Sequence, residues 1–150
     1  MASNGSKSAG EDISIVAFLC NWCSYAGADL AGTSRRKYPE NIRIIRVMCS
    51  SRVSPIMVLD AFKNGADAVL IAGCHPNDCH YSTGNFYTRR RFSIFRRLLD
   101  FLGIEKERLR IEWISASEGD KFAKIVNEML GEVSRIGKLN FSDIYSERNY

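Results

Sequence analysis

The sequence predicts an α/β domain built on a four-stranded parallel sheet in the flavodoxin-like order 2-1-3-4, with helices on both faces. Three observations carry this. Strand-like apolar runs alternate four times with helix-like patterns, which gives a parallel sheet with right-handed crossovers. The first and third runs are almost wholly apolar and suit the middle of a sheet, whereas the second and fourth carry arginines and suit its edges. The chain, at 150 residues and 45% hydrophobic, is long enough to bury one core.

Taken in order, residues 1–12 are small and polar and read as a flexible leader of a cytoplasmic protein, with no signal-peptide apolar core. Ile13 to Leu19 is the first strand. Ser24 to Ser34 reads as a helix of small residues, ended by Arg35-Arg-Lys37 and Pro39. Asn41 to Met48 is the second strand, with Arg43 and Arg46 on a partly wet face. Ser54 followed by Pro55 starts a helix with a capping hydroxyl and a preset φ. Gly65 closes that helix, and Ala66 to Ala72 is the third strand.

A second loop, Ser82 to Asn85, leads into a basic helix whose stripe is Phe92, Phe95, Leu99 and Leu102, ended by Gly103. Leu109, Ile111 and Trp113 alternate with Arg110 and Glu112 as a half-exposed fourth strand. Ser117 and Asp120 resemble a capping box ahead of the last long helix, from Phe122 to Val133. The tail, 138–150, is polar with scattered aromatics. No apolar run approaches the ~18 residues of a membrane span.

The five cysteines are an odd number, clustered where apolar runs stop, and do not resemble a secreted disulfide framework. Cys20 and Cys23 follow the first strand, Cys49 the second, and Cys74 and Cys79 the third. In a 2-1-3-4 sheet all five arrive at the carboxyl edge beside the switch point, where such sheets bind ligands. Three readings fit. Four thiolates could hold an iron–sulfur cluster, as a C-x-x-C facing a C-x-x-x-x-C. They could hold structural zinc, or Cys20 and Cys23 could exchange thiol for disulfide. His75 and His80 read as outer donors or exposed side chains, though a two-Cys, two-His site of Rieske type stays open. Trp22 and Tyr25 could shield a cluster or simply pack.

The net charge of +4 is uneven: Gly84 to Arg110 holds eight Lys/Arg against three Asp/Glu. Arg89, Arg90, Arg91, Arg96 and Arg97 on the basic helix form a candidate docking face for an acidic partner, to be weighed against a merely solvated helix face.

The segments CNWCSYAGADLAGTSR, IRIIRVMCSSRV, GADAVLIAGCHPNDCHYSTGN and LRIEWISASEGDKFA closely resemble the delta subunit of methyl-viologen-reducing hydrogenase, from about Val16 to Ile136. The resemblance implies an electron-transfer domain over 13–137 carrying a 2Fe–2S cluster. It implies a relay from a nickel–iron hydrogenase, through its iron–sulfur small subunit, or from a formate dehydrogenase, to the flavin-bearing subunit of heterodisulfide reductase. Carried over by position, four of Cys20, Cys23, Cys49, Cys74 and Cys79 hold the cluster, with Cys49 the expected spare. No catalytic residue and no nucleic-acid partner is implied. The leader and the tail inherit nothing.

Overall fold

A computed structural model describes residues 12–146. The leader at 1–11 and the last tail residues, 147–150, lie outside the described residues. The elements are β1 (Ile15–Cys20), α1 (Ser24–Thr33), β2 (Ile42–Val47), α2 (Pro55–Lys63), β3 (Ala68–Gly73), α3 (Gly84–Leu102), β4 (Leu109–Trp113), α4 (Gly119–Ile136) and α5 (Phe141–Ser146). The strands form one parallel sheet in the order β2-β1-β3-β4, as the apolar and arginine-bearing runs predict. Every residue of β3 is buried, while β2 and β4 keep partly exposed faces.

Each face of the sheet has its own core. Leu19 and Leu70 face Phe122, Val126 and Met129 of α4, with Ala28 and Ala31 of α1 beside them. On the other face Phe18, Val69 and Ile71 meet Phe62 of α2 and Phe92, Phe95 and Leu99 of α3. Leu139, Phe141 and Ile144 of the tail pack against this second core. The Leu139 N–H also donates to the buried carboxylate of Asp67 at 2.8 Å.

Local chemistry sets the helix ends. Ser54 Oγ accepts from Met57 N ahead of Pro55. Gly65 and Gly103 take φ of 101° and 84°, a region that side chains disfavour and that closes α2 and α3. The capping box expected at Ser117 and Asp120 does not form. Asp120 pairs with Arg36 at 2.5 Å, and α4 begins after Glu118 with no side-chain cap. Tertiary packing decides this start: a Cβ on Gly119 would meet Ala31 N of α1 at 2.9 Å. α3 begins at Gly84, two residues earlier than a loop through Asn85 allows.

Candidate metal centre

The carboxyl ends of β1 and β3 lie side by side, so the loops that follow them meet. Cys20 is the last residue of β1, Cys23 immediately precedes α1, and Cys74 is the first residue beyond β3. Cys23 Sγ lies 2.6 Å from Cys74 Sγ, and Cys20 Sγ lies 3.8 Å from it. All three sulfurs fall within 4.8 Å of one another and all three residues are buried. Cys79 packs against the trio.

Cys49 is buried one step further out. A Cβ placed on Gly84 would collide with Cys49 Sγ and lie 3.2 Å from Cys79 Sγ. The two thiols therefore border the space left by one missing methyl group. All five cysteines are free of disulfides.

Neighbouring helices hold these loops by polar contacts. Ser24 Oγ donates to Ala72 O at 2.8 Å, tying the start of α1 to β3. Asn85, buried in the first turn of α3, donates through Nδ2 to Cys74 O at 3.0 Å and His75 O at 2.8 Å. Its Oδ1 is buried without a partner. The loop after Cys49 is fastened to α3 by Ser50 Oγ and Thr88 Oγ1, 2.8 Å apart. Arg91 Nη1 adds donations to Ser51 O and Val53 O at 2.7 and 2.8 Å. Gly84 and Asn85 border the thiols from inside a stretch that the sequence predicts as loop. Nothing in Ser-Thr-Gly-Asn separates a helix start wedged among thiols from an ordinary turn.

The thiols perturb one another. Hydrogen bonding from Cys23 holds the Cys20 thiol down, from an ordinary 9.0 to about 6, against the opposing effect of burial. Cys23 is pushed up, first by its hydrogen bonding with Cys20, then by burial. Burial raises Cys74.

The histidines stay out of the trio. His75 Nε2 contacts both oxygens of Glu118, at 2.9 and 3.1 Å, and so ties the β3 loop to the start of α4. His80 stacks on Trp22, with centroids 3.8 Å apart and planes 13° apart. Trp22 Nε1 donates to the Tyr81 hydroxyl at 3.2 Å, so an aromatic bridge joins the two cysteine loops on the surface. Tyr25 lies away from it, under the Arg46 guanidinium. Of the five arginines, Arg91 is spent on the Cys49 loop and Arg96 donates to Leu109 O, while Arg90 sits over the Tyr87 ring.

The donor set fits a soft metal centre. It is buried, sulfur-only at its heart, and open to a fourth thiol from Cys79, which suits an iron–sulfur cluster or zinc and not a hard cation. Free thiols gathered at the switch point of a four-stranded α/β sheet are a candidate metal or redox centre.

Comparison with known proteins narrows this. Residues 15–137 match the family described as methyl-viologen-reducing hydrogenase, delta subunit, and the chain belongs to that family. It is 56% identical over 123 residues to an iron-sulfur subunit of the F420-non-reducing hydrogenase of Methanococcus voltae, covering 82% of this chain and 85% of the relative. It is 48% identical over 127 residues to the corresponding protein of Archaeoglobus profundus, covering 85% and 93%. It is also 54% identical over 125 residues to one component of the CoB-CoM heterodisulfide reductase of Methanosarcina acetivorans, covering 83% of this chain but 16% of that larger protein. No described helix is long and apolar enough to cross a membrane.

Proposed function

We propose that this chain is the electron-transfer subunit of a cytoplasmic hydrogenase–heterodisulfide reductase assembly, and that it carries a 2Fe–2S cluster. Electrons enter from a nickel–iron hydrogenase, through its iron–sulfur small subunit, or from a formate dehydrogenase, and leave towards the flavin subunit of heterodisulfide reductase. The observation that carries this reading is the buried trio Cys20, Cys23 and Cys74 within 4.8 Å, with Cys79 packed against it. The names of the relatives support both halves of the relay, since a hydrogenase protein and part of a heterodisulfide reductase protein match the same domain.

Cys20, Cys23, Cys74 and Cys79 are the proposed ligands, with Cys49 the spare. A bound cluster supplies single-electron uptake and release. The chain's own residues supply the rest. Asn85 and Ser24 fix the backbone around Cys74 and Cys23 so that the thiols converge without large rearrangement. Cys20, Cys23 and Cys74 are buried away from water, while the Trp22–His80 stack lies over the cysteine loops at the surface, within a partner's reach. Arg89, Arg90, Arg91, Arg96 and Arg97 form the proposed docking face for an acidic partner, Arg91 and Arg96 through whatever charge their backbone contacts leave exposed.

Anaerobically purified chain tests this. Equal iron and sulfide, about two of each per chain, with a reduced-state paramagnetic signal, is the expected result. Zinc in place of iron, or a metal-free chain that reduces a test disulfide through Cys20 and Cys23, would contradict it.

A further inference from the structure

The inward face of α3 is fully used: Asn85, Thr88, Phe92, Phe95 and Leu99 are buried. A second apolar stripe runs along its outside. Tyr87, Ile94 and Leu98 are 56%, 74% and 48% exposed. Their spacing of seven and four residues places them in one row along a helix. Arg90 and Arg97, themselves seven apart, flank the row on its outer side, and Arg90 lies 5.7 Å over the Tyr87 ring. Among the described residues no carboxylate pairs with Arg89, Arg90 or Arg97.

We infer that this stripe is a seam that seats one amphipathic helix of a partner protein, apolar along its centre and acidic on its flank. The inference rests on the relay reading and specifies how that docking is built. An apolar row one residue wide with charge beside it has the form of a helix-pairing seam, not the broad apolar face of a helix lying on a membrane. A second copy of the chain fits poorly, because two α3 helices would bring ten arginines together against two aspartates. A partner helix with Glu or Asp beside Arg90 and Arg97 meets neither objection.

The seam also lies in a useful place. α3 starts at Gly84, which borders Cys49 and Cys79, and Tyr87 is three residues further on, about 4.5 Å of helix rise. A helix seated there is held with one end beside the thiol centre.

The test uses the full chain and the hydrogenase and heterodisulfide reductase proteins of its own organism. Affinity is measured for the natural chain, I94E/L98E and R90E/R97E, at low and high salt. Circular dichroism and the visible spectrum check that both variants fold and load as the natural chain does. The expected result is at least tenfold weaker binding by I94E/L98E at either salt concentration. R90E/R97E should lose comparably at low salt and approach the natural chain at high salt. A complex whose affinity neither variant changes overturns the seam and leaves the relay reading standing. No complex with either partner overturns both. The seam is likewise overturned if the natural chain forms dimers, or binds phosphatidylglycerol vesicles, in a way that I94E/L98E abolishes.

Discussion

Cys23 Sγ and Cys74 Sγ lie 2.6 Å apart although 51 residues separate them in the chain. No local structure places them so. Cys23 is carried by the end of β1 and Cys74 by the end of β3, and those strands pair in register from Ile15 with Ala68 to Leu19 with Ala72. The sheet order therefore assembles the centre, and the surrounding helices hold it.

The ligand proposal predicts unequal roles for the five thiols. C20S, C23S, C74S and C79S should each lose most of their iron, measured anaerobically per chain. C49S should keep it, because Cys79 and not Cys49 packs against the buried trio. Iron loss in C49S equal to that in C79S would make Cys49 a ligand.

Gly84 has no room for a methyl group. G84A should cost about 1–3 kcal/mol of stability by overpacking, although alanine is intrinsically the better helix residue. The clash is between the added Cβ and Cys49 Sγ. C49A should therefore relieve it, and denaturant unfolding of the two single variants and the double variant should show a favourable coupling. Additive effects would place the strain elsewhere.

Asn85 holds the backbone that presents Cys74. N85A leaves the Cys74 and His75 carbonyls short of a donor, a loss of about 1–3 kcal/mol. N85D should be worse, because it sets a carboxylate against those same carbonyls. Urea midpoints give the ranking, and chelator-driven release of metal should quicken in the same order. Equal release rates in all three proteins would separate Asn85 from the centre.

The His75–Glu118 contact predicts a pH dependence with a definite sign. The hydrogen bond from His75, helped by Ser115 N, holds the Glu118 carboxyl below the usual carboxylate range. A folded-state value below the unfolded one stabilises the protein above the unfolded value, about pH 4.3, and that contribution fades as the pH falls through the folded value. The stability gap between natural chain and E118Q should therefore shrink as the pH falls below about 4.3. A gap that persists unchanged at low pH would assign the contact's effect to something other than charge.

Much of this was legible from sequence because strand burial shows in composition. The apolar run at Val69–Ala72 and the arginines in β2 predicted which strands are central and which are edges. Sheet order then placed Cys20, Cys23 and Cys74 together. What stayed hidden depends on packing between elements distant in sequence. Ser117 and Asp120 spell a helix start, but the contact of Gly119 with α1 overrides it. Gly84 and Asn85 look like turn residues until α3 is set against the thiols. The apolar row on α3 was masked by the stronger inward stripe of Phe92, Phe95 and Leu99 on the same helix.

The central claim is that these thiols hold a redox cluster for electron relay, and the most direct measurement is paramagnetic resonance of the anaerobically purified chain, oxidised and dithionite-reduced, with iron and sulfide analysis on the same sample. The account predicts a silent oxidised state, a one-electron reduced signal, and about two irons and two sulfides per chain, all lost in C74S. A protein that carries zinc and stays silent in both states would contradict it.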